Sequence, residues 1–271
     1  MKKNKLPIFD KQKSRRSFDR AAHQYDQHAQ LQRCVAATLL EYLDEYSSEI
    51  QPQFALDIGC GTGQITEGLC QRYPNTNVAA LDFSSQMLLQ TEKRLAQQGL
   101  SAISLCADAE QLPFQDESLD LVVSSLMLQW ANDLQNTLAR IHSLLTSNGV
   151  LAFSSFSTGT LKEVKASWDA VDDAAHSSDF LSLDSFRTIT KAAGYSKVTI
   201  IPQTIIVRYE TVREMLMEMK GIGASNARSE RVTGLTGKQR FRAFEQALEA
   251  QRLPDGGYPC TWEVTYIICA K

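Results

Sequence analysis

The chain has 271 residues, 43% of them apolar, and carries 31 acids against 28 lysines and arginines for a net charge of −3. That is enough for one α/β domain with insertions, and no stretch approaches the roughly 18 consecutive apolar residues of a membrane helix. The lysines and arginines near the start are not followed by the apolar run of a secretory leader, and six scattered cysteines without a C-x-x-C pair read as reduced thiols, so a cytoplasmic location is expected.

Residues 1–13 are expected to form a disordered basic tail, with 14–271 as a single domain. Residues 14–31 place Phe18, Ala21, Ala22, Tyr25 and Ala29 at helical spacing on one apolar face. A second helix is expected over about 31–46. Residues 54–58 read as a first strand, followed by a helix over about 63–72. Residues 78–81 form a second strand, stopped by Asp82. Ser84 then caps a helix reaching about residue 98. A short strand over 101–107 ends near Asp108. The apolar run 119–124 is of the buried parallel type. Asn132 or Asp133 starts a helix ending near Leu145, with Asn148-Gly149 as its stop, and 150–155 is a fifth strand. Strict alternation of strand and helix implies a parallel sheet with right-handed crossovers. Beyond residue 156 the rhythm breaks into helices at 159–175 and 183–193, a strand at 197–208, helices at 211–221 and 236–251, and a closing strand at 261–269. Helical caps are therefore expected over about 157–195 and 209–255, the second as a lid between the last two strands.

The chemistry is concentrated in Leu56-Asp57-Ile58-Gly59-Cys60-Gly61-Thr62-Gly63, a strand ending in an acid and followed by a glycine at every second position. A dinucleotide fingerprint needs G-x-G-x-x-G, whereas position 64 here is Gln. Ligands of open α/β sheets sit beyond the carboxyl ends of the strands, and Asp57, Asp82 and Asp108 end three successive strands. Asp82 can accept two hydrogen bonds from ribose hydroxyls. Asp108 can accept from an adenine amino group while the next backbone N–H, that of Ala109, donates to the ring. A nicotinamide enzyme would use Asp82 but has no evident need of Asp108. Each acid alone could instead cap a helix or answer its dipole, and the glycines alone could merely close a tight turn. The combination points to a nucleotide-like ligand. Four histidines without ligand spacing suggest no metal.

Acid-x-Gly-x-Gly-x-Gly resembles the first motif of the S-adenosylmethionine-dependent methyltransferases with a Rossmann-like, mostly parallel seven-stranded sheet and helices on both faces. The resemblance implies that Asp57, Gly59, Gly61 and Gly63 cradle the methionine part of the cofactor. It implies that Asp82 holds the ribose, that Phe83 packs on the adenine, and that Asp108 and Ala109 read the adenine edge. Ser124 and Ser125 would place backbone groups near the amino-acid end. Tyr25 would close over the methionine end, or else be a core tyrosine on an amphipathic face. Trp130 reads as wall or core, and His23 and His28 as helix-surface residues.

Four more segments narrow the resemblance: Gln24-Tyr25-Asp26-Gln27-His28-Ala29-Gln30-Leu31-Gln32, Ser124-Ser125-Leu126-Met127-Leu128-Gln129-Trp130, Lys220-Gly221-Ile222-Gly223-Ala224 and Gly257-Tyr258-Pro259. From about residue 14 onward they look like the malonyl-[acyl-carrier protein] O-methyltransferases of biotin synthesis, the BioC family. One departure is Ser125, where that family is expected to carry Asn. The resemblance implies an acceptor that is the free carboxylate of a malonyl thioester on acyl-carrier protein or coenzyme A. Such a carboxylate is ionised at neutral pH and needs no general base, only a cation to hold it. Lys220 is the first candidate, with Arg208 and Arg213 as alternatives. Lys220 could equally answer a helix dipole.

Charge is unevenly spread. Residues 1–20 hold eight basic residues against two acids, and 208–242 hold eight against four. These islands could dock an acidic carrier protein or be merely solvated. A nucleic-acid partner is not expected, because neither island interleaves aromatics with its charges. A membrane partner is not expected either, and the protein is expected to act as a monomer. Two other readings stay open: a methyltransferase for a small lipid or quinone, and a catalytically silent cofactor-binding partner protein.

Overall fold

The computed structural model describes residues 9–171, 180–221 and 238–271, apart from the side chains of Lys220, Gly221 and Lys238. Seven strands form one sheet: β1 (Phe54–Ile58), β2 (Asn77–Asp82), β3 (Ile103–Cys106), β4 (Leu119–Ser125), β5 (Leu145–Phe156), β6 (Lys197–Tyr209) and β7 (Tyr258–Ala270), in the order β3-β2-β1-β4-β5-β7-β6. The first five run parallel, and β7 runs antiparallel between β5 and β6. Near-continuous apolar runs in β1 and β4 fit central strands covered on both faces. Strand order reverses at β1, which lies between β2 and β4, and that reversal opens a crevice at the carboxyl ends.

Helices cover both faces. On one, α3 (Gln30–Tyr46) buries Leu31, Val35, Leu39 and Leu43, one residue per turn, beside Ile65 and Leu69 of α4 (Gln64–Arg72) and Leu95 of α5 (Ser85–Gln97). On the other, α6 (Leu134–Leu144) buries Leu134, Leu138, Ile141 and Leu144 with Phe186 of α8 (Leu183–Ala192). Ser84 caps α5 by accepting from the Met87 N–H, and Asp133 caps α6 by accepting from the Asn136 N–H. Two late helices, α7 (Lys162–Asp169) and α10 (Lys238–Glu249), pack through Trp168 stacked on Phe244, 4.3 Å between ring centres. Helix α9 (Val212–Gly221) follows β6 and lies against α2 (Tyr25–His28). Among the described residues no helix is long and apolar enough to cross a membrane.

Several boundaries differ from the sequence reading. Residues 1–8 of the expected tail lie outside the described residues. Residues 9–13, however, are held on the domain: Phe9 is buried and pairs with Asn132, and α1 (Lys11–Ala21) starts on an Asp10 cap. The single helix expected over 14–31 is broken after Ala21, because Asp26 forms side-chain bonds to the body of the protein that a continuous helix would not place there. Asn148-Gly149 does not stop α6. That helix ends at Leu144, and Leu145 already pairs with Leu119; the register then jumps to Leu121 opposite Val150, so 148–149 sit in an irregularity of β5.

Because α3 carries cavity residues and its apolar stripe is fully buried, Leu39→Ala is expected to destabilise the protein by about 2–5 kcal/mol. The shift of the urea midpoint at unchanged slope measures it.

Candidate active site

The turn after β1 sets the site. The N–H groups of Gly59 and Cys60 both donate to the Leu81 carbonyl, at 2.7 and 3.0 Å, which ties the turn to β2. A Cβ on Gly59 would lie 2.1 Å from Met127 Cγ, so only glycine lets the two loops meet. Gly61 has φ +54° and faces open space within the cavity wall.

Two carboxylates are buried beside this turn. Asp57, 1% exposed, accepts from Thr66 Oγ1 at 2.6 Å through Oδ2, while its Oδ1 is buried without a partner. Burial, reinforced by the charge of Asp82, pushes its pKa up to about 7 against the opposing Thr66 bond. Asp82, 6% exposed, accepts from the Ser84 N–H at 2.8 Å and the Gly61 N–H at 3.0 Å. Burial still raises it to about 6, with those backbone bonds opposing and the charge of Asp19 adding. Asp108 is more open. It accepts from the Glu110 N–H and from Lys11 Nζ at 2.6 Å, and Lys11 also pairs with Glu110.

The N-terminal segment roofs the cavity. Phe18 of α1 lies 5.9 Å from both Phe83 and Trp130, and Phe9 lies 4.9 Å from Trp130. Helix α2 is clamped to the glycine turn by Asp26, which accepts from Thr62 Oγ1 and from Arg94 Nη2, each at 2.6 Å. Arg94 extends the clamp to the Thr62 carbonyl and Glu67. Tyr25 is thereby held over the cavity. Burial and then the charges of Asp82 and Asp26 raise its pKa, so its hydroxyl stays a neutral donor.

Most of the expected cofactor residues share one cavity: Tyr25, Asp57, Gly59, Gly61, Asp82, Phe83, Asp108, Ala109 and Ser125 all line it. Two do not. Gly63 is the N-cap of α4, and Ser124 turns its hydroxyl onto the Ile58 carbonyl at 2.8 Å, joining β4 to β1. Nor does the cavity wall include the candidate arginines. Arg208 is held by Asp255 at 2.7 Å and by Glu210, at the turn before β7. Arg213 is exposed on α9. Lys220 is on the last turn of α9, its side chain outside the described residues, as are Ile222-Gly223-Ala224. Sequence reasoning missed Lys11, Asp26, Gln32 and Arg33 as site residues. All four line the cavity, and Arg33 donates to the Asp26 carbonyl.

Two buried acceptors in this wall lack partners, Asp57 Oδ1 and Gln32 Oε1. Together with acids at three strand ends they suit a cationic ligand bearing an amino group, a ribose and a purine, and S-adenosylmethionine has all of these. Comparison with known proteins agrees. The family described as "Methyltransferase domain" matches residues 56–153. The malonyl-[acyl-carrier protein] O-methyltransferase of Gallionella capsiferriformans is 36% identical over 264 residues, covering 96% of this chain and 90% of the relative. The chain belongs to the malonyl-[acyl-carrier protein] O-methyltransferase family. The member from Halorhodospira halophila is 37% identical, over 95% of this chain and 86% of its own. A Teredinibacter turnerae protein named biotin biosynthesis bifunctional protein BioHC is 35% identical over 94% of this chain and 46% of its own length. Among solved structures, YcgJ from Bacillus subtilis superposes with a TM-score of 0.63 at 15% identity, over 87% of this chain and 98% of its own, which supports the fold. As a member of this family the chain is an S-adenosylmethionine-dependent O-methyltransferase with the Rossmann-like sheet that its sequence implied.

Asp26→Ala removes two charge-assisted or short bonds that hold α2 on the turn. It is expected to weaken S-adenosylmethionine binding about tenfold or more, read by calorimetry. Asp44→Ala, which breaks an exposed pair with Arg72, is expected to leave that affinity unchanged.

Proposed function

We propose that this enzyme methylates the free carboxylate of a malonyl thioester on acyl-carrier protein, giving the malonyl methyl ester that enters biotin synthesis. The observation that carries this reading is the near-full-length identity to proteins of that name. The cofactor supplies a methyl group already activated by a positive sulfur. What is asked of the protein is alignment and exclusion of water.

The cavity lining supports these residue roles. Asp57 Oδ1 and Gln32 Oε1 accept from the amino group of the cofactor, and Arg33 holds its carboxylate. Asp82 keeps lone pairs free for ribose hydroxyls beside its two backbone bonds. Phe83, in ring contact with Phe18, packs on the adenine, and Asp108 accepts from the adenine amino group while sharing its remaining lone pairs with Lys11. Tyr25 closes the site from α2. No base is required, because the malonyl carboxylate is already ionised.

The wall carries Asp26, Asp57, Asp82, Asp108 and Glu110 against Lys11 and Arg33. An anionic acceptor is repelled until the cationic cofactor is in place, so the cofactor binds first. Lys220 remains the first candidate for holding the acceptor carboxylate, since α9 lies against α2, whose Tyr25 and Asp26 line the cavity, and Arg213 on the same helix is second. Arg208 ranks last, its charge already answered by Asp255 and Glu210. Methylation removes the acceptor's charge, and the loss of that charge-assisted bond favours product release.

Intact-mass measurement of malonyl-, succinyl- and acetyl-carrier protein after incubation with S-adenosylmethionine tests this reading. A gain of one methylene on the malonyl form and none on the acetyl form is expected, with a rate that falls as salt is raised. No gain on any carrier by a protein that binds the cofactor would redirect the search to lipid or quinone acceptors.

A further inference from the structure

The 3-10 turn Leu128–Trp130, just beyond β4, sets Gln129 in the cavity wall. Its amide is oriented from behind. The Phe156 N–H donates to Oε1 at 2.9 Å, and Ser155 Oγ stands 3.5 Å from the same atom. A backbone N–H can only donate, so the oxygen of the carboxamide must face the end of β5 and the nitrogen must face the other way. Nε2 has no hydrogen-bond partner among the described residues. The turn itself is held in an uncommon shape. Leu126 has φ +50° and is pinned by its N–H to both the carbonyl and the hydroxyl of Ser154, at 3.1 Å each. The neighbouring wall residues Leu126, Met127, Trp130 and Phe156 are apolar. A donor in such surroundings is worth more than one in water.

We propose that Gln129 Nε2 donates to the acceptor carboxylate, on the oxygen that is not methylated, and so selects a carboxylate acceptor. The inference rests on the malonyl reading above. One carboxylate oxygen forms the new C–O bond as the methyl–sulfur bond breaks. That bond's electron pair stays on sulfur and no proton moves. The second oxygen is therefore available to Gln129 throughout. An amide suits this role because, beside the cation that holds the anion, it orients the second oxygen without adding a further charge. It offers no base that could remove a proton from the malonyl methylene. An acetyl thioester presents a methyl group where the carboxylate should be, leaving the Nε2 donors unmet.

Two variants separate this role from a structural one. Gln129→Glu keeps an oxygen for the Phe156 N–H but turns a negative charge toward the acceptor. Gln129→Ala removes both functions. With malonyl-carrier protein, kcat/KM is expected to fall about 10-fold in Gln129→Ala and about 100-fold or more in Gln129→Glu. The Kd for S-adenosylmethionine and the melting temperature of Gln129→Glu should stay near wild type. Wild-type kcat/KM in Gln129→Glu would reduce Gln129 to a cap for the Phe156 N–H and overturn the proposal. A loss of cofactor affinity matching the loss of activity would also overturn it, by placing Nε2 on the cofactor's own carboxylate. Wild-type protein inert on malonyl-carrier protein would sink the malonyl reading and this one together, whereas active wild type with an unimpaired Gln129→Glu sinks only this one.

Discussion

Two carboxylates buried side by side at the ends of parallel strands are the constraint around which this site is organised. Burying an ionised carboxylate is costly unless it is paired and hydrogen-bonded. Asp82 is answered by two backbone N–H groups, and those come from the glycine turn and the start of α5. Asp57 is answered on one oxygen only, by Thr66. The protein without ligand therefore keeps a proton near these acids that the unfolded chain would have shed. A carboxyl whose folded pKa lies above its unfolded value binds more protons folded than unfolded. Between the ordinary value of 3.8 and about 7 for Asp57, stability falls as pH rises. A cationic ligand reverses the penalty by supplying the missing partner.

The N-terminal segment makes that partner's site a closed one. Asp26 joins α2 to the glycine turn and to α5, and Asp19 of α1 accepts from the Ser84 hydroxyl at 2.6 Å. The same turn that lines the cavity thus also anchors its roof. Anything that moves Gly61 moves both Asp82 and the Thr62 grip on α2. Leu39 and its stripe hold α3, and with it Gln32 and Arg33, against the sheet.

The strand ends were legible because apolar runs stop abruptly at Asp57 and Asp82, and Ser84 and Asp133 mark helix starts by local chemistry. The parallel run of the first five strands followed from alternation, whereas their order and register are set by contacts distant in sequence. What was not legible depends on partners far along the chain. The break before Tyr25 is imposed by Thr62 and Arg94, and Arg208 is claimed by Asp255. Gln129 stood out in the sequence only as part of a motif. Its orientation is decided by a backbone N–H on another strand. Lys11 sat in what read as a featureless tail because its partners, Asp108 and Glu110, are contributed by the loop after β3.

Burial that lifts Asp57 to about 7 leaves it protonated near pH 6, until a cationic ligand takes the place of the proton. Calorimetry of S-adenosylmethionine binding near pH 6, in two buffers of different ionisation enthalpy, counts the protons exchanged. Release of roughly one proton is expected, shrinking as pH rises above the range where Asp57 titrates and lost in Asp57→Asn. Binding near pH 6 with no proton released by the wild-type protein would contradict it.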